Sequence, residues 1–151
     1  MSELKATLQR DLHAAMRARD KLRAGTLRMA LTAVSTEEVS GTSARELGDD
    51  EVLKVLAKEA KKRREAATAY QEGGRAELAD TERAELAVLE EYLPAQLEDE
   101  ELDRMAAEAV AETGATGMGQ MGQVMKVLQP RVAGRAEGGR VAAAVRRALQ
   151  G

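Results

Sequence analysis

Residues 88–102 read VLEEYLPAQLEDEEL, and they contain the end of one helix and the start of another. Pro94 disfavours helical conformation in the residue before it, so the apolar stripe that reaches Leu93 stops there. The acidic run 98–101 is typical of the first turn of a new helix. We therefore predict two domains, an N-terminal helical domain of residues 1–95 and a C-terminal helical domain of residues 96–151.

The apolar residues on both sides of this boundary are those of helices. The chain of 151 residues contains 29 Ala, 17 Leu, 11 Val and 7 Met, but no Ile, Phe, Trp or Cys. Ala, Leu and Met are strong helix formers, whereas the β-branched and aromatic side chains that suit strands are scarce. The fold class predicted is all-α, with an N-terminal helical domain and a C-terminal three-helix bundle.

The first two helices are predicted from caps and apolar spacing. Ser2 is suited to cap the first helix, whose inward stripe includes Leu8 and Met16 at helical spacing. Residues 17–20 form a short joint. The second helix then places Met29 on its inward stripe.

Two further helices complete the predicted N-terminal domain. Asp49 begins the acidic first turn of the third helix, which has Tyr70 on its inward face. The basic run within residues 58–64 is expected along the exposed flank of that helix. Gly73 ends the third helix, and the fourth stops at Pro94.

Three helices are expected after the boundary. The fifth carries a clean apolar stripe and closes at Gly114, a residue that suits the end of a helix. Thr116 is predicted to cap the sixth helix, which bends or ends at Pro130. Residues 134–139 lead to the seventh.

Several functional classes are excluded by composition. The absence of Cys removes disulfides, thiolate metal sites and thiol nucleophiles. The single histidine, His13, has no second His or Cys to form a transition-metal site, and we expect it on or near the surface of its helix. No segment approaches the length of uncharged apolar residues that a membrane span needs. We expect no metal, no cofactor, no membrane partner and a cytoplasmic location.

The net charge of −3 conceals three blocks of different sign. Residues 1–71 carry 14 Lys and Arg against 11 Asp and Glu, residues 72–113 carry 3 against 14, and residues 114–151 carry 6 against 1. Such asymmetry indicates an anionic partner for the basic blocks or a basic partner for the acidic one. The alternative is internal neutralisation, in which acidic helices pack beside basic ones.

A glycine motif and an acidic cluster are the two candidate chemical sites. Residues 117–122 read GMGQMG and match the G-x-G-x-x-G pattern, but no strand precedes them as a dinucleotide site requires. A phosphate loop would need Lys and Ser or Thr where Gln123 and Val124 stand. We interpret the motif as a permissive turn before a helix. The carboxylates of 90–91 and 98–101 are typical of solvated helix ends, so no catalytic residue is assigned.

Three segments resemble the GatB/YqeY family: VLEEYLPAQL at 88–97, MGQVMK at 121–126 and GRAEG at 134–138. The resemblance covers essentially the whole chain and is closest in form to a free-standing YqeY-like protein. The chain departs from the usual family pattern at Glu137, where Asp is common, and at 119–120, where charged residues often stand. The resemblance implies a C-terminal domain similar to the tail of the B subunit of the tRNA-dependent amidotransferase, and that tail is implied to hold tRNA.

The residues required for amidotransferase chemistry are missing from this chain. A glutaminase nucleophile and an ATP site are needed, and the sequence has no Cys and no valid phosphate loop. We therefore expect no activity from the chain alone. Carbon–nitrogen ligation with glutamine as amido-N-donor is treated as a family-level label, since function resides in sites rather than in folds.

The leading hypothesis is a tRNA-interacting accessory module. Phosphates would be contacted by the basic residues of the C-terminal block, which are Lys126, Arg131, Arg135, Arg140, Arg146 and Arg147. Two Tyr and no Phe or Trp favour structured RNA recognised by shape over stacking on single strands, and no DNA partner is expected. The alternatives are a solvated basic helix face, a protein-interaction adaptor that uses the acidic stretch 72–113 without RNA, and a partner-dependent amidotransferase role.

Overall fold

The computed structural model describes residues 2–151 and contains helices but no strand within that range. This confirms the all-α prediction. The helices are α1 (Glu3–Arg17), α2 (Lys21–Glu38), α3 (Asp49–Glu72), α4 (Ala76–Glu90), α5 (Asp99–Thr113), α6 (Met121–Val132) and α7 (Gly138–Gln150), with a 3₁₀ turn at Met118–Gln120.

The chain forms two compact units. The first ends at Leu93, and the second is Pro94–Gly151. The first contains α1 to α4 and the second α5 to α7. Whether the segments 1–95 and 96–151 fold independently stays a prediction.

The first unit encloses a core of Leu, Val and Ala. Leu8 of α1, Leu27 and Val34 of α2, Leu56 of α3 and Leu89 of α4 are fully buried in one cluster. The predicted cap is confirmed, because the Ser2 hydroxyl accepts a hydrogen bond of 3.1 Å from the backbone N–H of Lys5. Ser2 also bonds the Asp49 carboxylate, which ties the start of α1 to the start of α3.

The inward stripes are narrower than the sequence predicts. Met16 and Met29 are each 51% exposed, and Tyr70 is 36% exposed, although all three were expected to face the core. Ala15 and Ala30, which belong to the same predicted stripes as the two Met residues, are buried as predicted. The small alanine side chains let the helices approach closely, and the longer Met residues lie at the edge of the contact.

A buried ion pair lies in the basic run of α3, which was expected to be exposed. Arg63 is 5% exposed and Glu59 is 8% exposed, and their Nη1 and Oε1 atoms are 2.9 Å apart. The Arg63 Nε lies 3.5 Å from Oε2 of Glu85 on α4. Glu82 also lies on α4. Burial and the neighbouring Glu85 raise the pKa of the Glu82 carboxyl, while the charge of Arg63 lowers it. The expectation fails here because α4 packs over this part of α3.

The second unit is a three-helix arrangement with a core of its own. Leu102 and Ala106 of α5, Val124 and Leu128 of α6, and Val145 of α7 are fully buried in one cluster. Each of its three helices contacts the other two. Gly114 ends α5 in the left-handed conformation, with φ of 69°.

The start of α6 differs from the prediction. Thr116 does not cap the helix; its backbone N–H donates a hydrogen bond of 2.7 Å to Oε1 of Gln120. The 3₁₀ turn takes up the intervening residues, so α6 begins at Met121. Pro130 lies inside the last turn of α6, which continues to Val132.

The loop before α7 is hydrogen-bonded to the first residues of the second unit. The backbone N–H of Leu97 donates to the carbonyl of Arg135 at 2.7 Å, and the Gln96 amide donates to the carbonyl of Gly134 at 2.9 Å. Gly134 has φ of 73°, a conformation that favours glycine. A Cβ there would lie 3.5 Å from Pro94, so this loop and the Pro94 segment pack directly together.

Tyr92 joins three parts of the first unit through its hydroxyl. It donates a hydrogen bond of 2.5 Å to Oδ2 of Asp11 on α1 and accepts one of 3.2 Å from Arg23 on α2. Arg23 also pairs with Glu91 at 2.7 Å. Burial, together with the hydrogen bond to Asp11, raises the pKa of Tyr92 to about 12, so the hydroxyl keeps its proton at neutral pH.

We predict that Tyr92→Phe lowers the free energy of unfolding by about 1–3 kcal/mol, because the substitution removes a hydrogen bond to a charged group. Urea denaturation followed by circular dichroism measures the change. Tyr70→Phe is the matched control, since the exposed Tyr70 hydroxyl has no hydrogen-bond partner among residues 2–151. Equal stabilities for the two variants would show that the Tyr92 network contributes nothing.

Candidate nucleic-acid interface

The basic residues predicted to bind RNA all lie in the second unit. Two are on α6, one is in the loop before α7 and three are on α7. In that order they are Lys126 and Arg131, then Arg135, then Arg140, Arg146 and Arg147. Their side chains divide into two groups according to whether a carboxylate of α5 is within reach.

Arg140 is engaged by the fold. Its Nη2 donates to Oδ1 of Asp99 and to the carbonyl of Leu97, both at 2.7 Å, and its Nε lies 3.2 Å from the same Asp99 oxygen. The hydrogen bonds from Arg140 hold the pKa of the Asp99 carboxyl below its ordinary value. Arg140 therefore links the start of α7 to the segment that leads into α5.

Two more of the predicted residues pair with α5. Arg147 donates to Oδ1 of Asp103 at 2.6 Å from Nη2 and at 3.1 Å from Nε. Arg131 of α6 contacts Oε2 of Glu112 at 2.5 Å. These pairs show internal neutralisation within the unit, the alternative that the charge blocks left open.

The remaining three cations have no such partner. Side chains of Lys126, Arg135 and Arg146 form no ion pair or hydrogen bond with the residues that the structure describes. Lys126 and Arg146 are exposed, and Arg135 is half-buried in its loop. The six predicted residues therefore do not form a set of equivalent cations, since half of them are already paired.

The spacing of the paired residues carried a signal that the sequence analysis missed. Asp99 and Asp103 are four residues apart, and Arg140 and Arg147 are seven residues apart, so each pair lies on one helix face. The face of α5 is negatively charged and the face of α7 is positively charged, so the two are complementary. This pattern predicts contact between α5 and α7, and it would have separated Arg140 and Arg147 from the free cations.

The glycine motif at 117–122 forms a turn followed by a helix. Gly117 is extended, the 3₁₀ turn follows it, and α6 starts at Met121. No strand precedes it within residues 2–151, so the dinucleotide interpretation has no structural support. His13 is exposed on α1, as expected.

The donors that the second unit presents suit an anion rather than a metal. Among the described residues, no group of three or more His, Cys, Asp or Glu is arranged to hold an ion. Within the same range, none of the helices is long and apolar enough to cross a membrane. What the unit does present is guanidinium and ammonium groups without carboxylate partners, which are donors suited to phosphate oxygens.

Comparison with known families decides the identity of the chain. The model of the family described as Yqey-like protein matches residues 5–149, nearly the whole sequence. The chain belongs to the YqeY-like protein family. The resemblance of the segments around Pro94, Met121 and Gly134 to this family is thereby confirmed.

A curated relative of this YqeY-like chain comes from Meyerozyma guilliermondii. It is named Altered inheritance of mitochondria protein 41, mitochondrial, and is 28% identical over 146 residues. The matched region covers 85% of this chain and 75% of the relative. The similarity therefore extends across both units.

We predict that Arg140→Gln lowers the melting temperature at pH 7 and lowers it less at about pH 2.5. Because the pKa of Asp99 is lowered in the folded state, the stability from this pair is present above the ordinary Asp pKa and is lost as the pH falls through the folded value. A residual difference should persist in acid, since the bond from Arg140 to the Leu97 carbonyl does not titrate.

Thermal melts of the wild type and variant across this pH range measure the effect. Arg146→Gln is the control, because Arg146 lies on the same helix without a partner in the described chain, and its melting temperature should follow the wild type at every pH. A pH-independent difference for Arg140→Gln would contradict the role of the Asp99 charge.

Proposed function

We propose that the second unit binds structured RNA of the tRNA class and that the protein acts as an accessory module rather than as an enzyme. The observation that carries the proposal is the set of cations Lys126, Arg135 and Arg146, which have no partner among residues 2–151. They lie in a block, residues 114–151, that contains a single acidic residue. Positive charge that the fold does not neutralise favours a polyanionic partner.

The paired and unpaired cations have different proposed roles. Arg131, Arg140 and Arg147 contact carboxylates of α5 and thereby stabilise the helix arrangement. Because each is paired with a carboxylate, they contribute no net positive charge to the surface. The direct contacts to phosphate are assigned to Lys126, Arg135 and Arg146, which have donors to spare.

The absence of aromatic residues from the second unit favours a folded RNA over a single-stranded one. The only aromatic residues are Tyr70 and Tyr92, and both belong to the first unit. Recognition by stacking of unpaired bases needs aromatic platforms. We therefore propose contacts to the sugar–phosphate backbone of a folded RNA, which position the protein without reading sequence.

Family membership supports this proposal at a coarser level. The resemblance links the C-terminal unit to the tail of an amidotransferase subunit that is implied to hold tRNA. Glutamine-dependent ligation is proposed only as an association through such a partner, since this chain has no thiol nucleophile. A cytoplasmic location is part of the same proposal.

An adaptor function without RNA is the second candidate, and the acidic stretch 72–113 motivates it. Several of its carboxylates are already used inside the units: Glu91 pairs with Arg23, Asp99 with Arg140 and Glu112 with Arg131. Others, such as Glu100 and Glu108, are exposed and have no partner among residues 2–151. This candidate is the weaker one because the family resemblance, which links the C-terminal unit to a tail implied to hold tRNA, supports the RNA proposal and not the adaptor.

We predict that the triple variant Lys126→Gln, Arg135→Gln and Arg146→Gln binds unfractionated tRNA about tenfold more weakly at moderate salt, because each substitution removes a charge that faces a phosphate. The log–log dependence of affinity on salt should also become shallower, by somewhat under one unit for each cation that no longer neutralises a phosphate. Gel-shift titrations at several salt concentrations measure both quantities, and different tRNAs should be affected alike.

Arg104→Gln serves as the control for this experiment. It also removes an exposed cation from the second unit, but Arg104 pairs with Glu101 on α5 and is assigned no RNA contact. Its affinity should equal that of the wild type. If the triple variant keeps both its affinity and its salt slope, these cations form only a solvated surface and the adaptor candidate takes the lead.

We further predict that the purified chain alone neither hydrolyses glutamine nor consumes ATP. The sequence lacks Cys, and Gln123 and Val124 occupy the positions where a phosphate loop needs Lys and Ser or Thr. Coupled assays for glutamate and ADP should read at background. A rate that survives repurification and disappears on mutation of this chain would refute the accessory role.

A further inference from the structure

The joint between α1 and α2 carries positive charge that the fold does not use. Arg17, Arg19 and Lys21 are exposed, and their side chains make no ion pair or hydrogen bond with residues 2–151. Asp20 is the one carboxylate within this run. It accepts a hydrogen bond of 3.1 Å from the backbone N–H of Arg23 and so serves as the cap of α2.

Arg19 has an unusual backbone conformation. Its φ is 59°, and among the described residues other than glycine it alone has a positive φ. Its N–H donates to the carbonyl of Met16 at 3.1 Å, and the N–H of Asp20 donates to that of Ala15 at 3.0 Å. Helices that end this way commonly have glycine at the left-handed position, because a Cβ is strained there. Backbone strain of this kind is concentrated at functional sites.

The unused charge continues along the exposed side of α2. Lys21, Arg28 and Ser35 are spaced by seven residues, which places them on one helix face. The side chain of Arg28 also has no partner in the described part of the chain. Gly25 lies on the same face, and a Cβ added there would meet nothing within 4 Å. Beyond it the surface of α2 is open and shallow, and it is formed by Arg28, Leu31, Thr32, Ser35, Thr36 and Val39.

We infer that this surface binds the sugar–phosphate backbone of RNA. We define it as the α1–α2 strip, made of Arg17, Arg19, Lys21, Arg28 and the open face of α2 beside Arg28. Guanidinium groups match phosphate oxygens with two parallel hydrogen bonds. The inference rests on the proposed function, since it takes the ligand to be the same structured RNA.

An anionic membrane surface is the other polyanion that such charge could meet. Met16 and Leu22 flank the joint and are 51% and 39% exposed. A helix that lies on a bilayer needs a continuous apolar face, but the stripe of α1 packs inside the first unit, where Leu8 is fully buried. Met29 and Val39 are also exposed, at 51% and 64%. Polar residues such as Arg28 and Thr36 separate these four side chains, so they form no continuous apolar face and the structure favours RNA.

The test uses the full chain with Arg19→Gly, Lys21→Gln and Arg28→Gln combined. Binding to unfractionated tRNA, measured by gel shift at several salt concentrations, should weaken about tenfold, and the salt slope should become shallower. Arg19→Gly alone should raise the melting temperature, because glycine relieves the left-handed strain, yet it should lower the affinity. A purely structural role for Arg19 would leave the affinity unchanged.

Arg75→Gln is the matched control. Arg75 is an exposed cation of the same unit with no side-chain partner among residues 2–151, and it lies at the turn between α3 and α4. Arg75 precedes the first residue of α4, whereas Arg23 of α2 pairs with Glu91 at the other end of that helix. Because α4 is about 22 Å long, Arg75 is distant from Arg23. The affinity of this variant for tRNA should equal that of the wild type.

The outcomes separate this inference from the proposed function. If the strip variant binds more weakly while the Lys126, Arg135 and Arg146 variant does not, the strip stands and the C-terminal interface is wrong. If only the C-terminal variant is weaker, the strip inference is overturned. A wild-type chain that does not bind tRNA overturns both. Binding to phosphatidylserine–phosphatidylcholine vesicles that depends on the strip, with tRNA affinity unchanged, also overturns the inference and assigns the strip to membranes.

Discussion

Both cores of this protein are built from Ala, Leu and Val. The small volume of the Ala side chains restricts how the helices can pack. Helices that meet through Ala30, Ala60 or Ala106 must approach closely, because dispersion attraction weakens sharply across even a narrow gap. Close approach leaves little room for long side chains between helices. Met16 and Met29 therefore lie at the edges of the helix contacts. The buried polar residues include Arg63 and Glu59, which form an ion pair with each other.

Charged pairs then select which helix faces meet. In the first unit, Asp11, Arg23 and Tyr92 connect α1, α2 and the residues after α4. In the second, Asp99 and Asp103 align with Arg140 and Arg147. A small apolar contact specifies orientation weakly, since Ala faces resemble one another. Hydrogen-bonded pairs require particular atoms to meet, so we expect them to contribute to the specificity of each arrangement.

The use of charge by the fold also bears on function. Cations that stabilise helix contacts have fewer donors for a ligand. By contrast, within residues 2–151, all side-chain donors stay unpaired in Lys126, Arg135 and Arg146 of one unit and in Arg17, Arg19, Lys21 and Arg28 of the other. Basic residues of a YqeY-like chain thus fall into two classes that net charge does not distinguish. The proposal of RNA binding depends on the unpaired class.

The sequence by itself determined the helical class, because its composition offers almost nothing to a strand, and it determined the end of α5 at Gly114. It placed the end of the fourth helix at Pro94, whereas α4 already ends at Glu90. It also carried the family resemblance. It did not determine which charges are buried or paired. Helical spacing fixes the direction of Arg63 or Arg140 relative to its own helix, but the partner is set by the helix that packs alongside. Only the tertiary structure decided that Arg63 is buried, that Arg140 is held by Asp99 and that Arg146 has no partner in the described chain, since these states depend on distances between segments far apart in sequence.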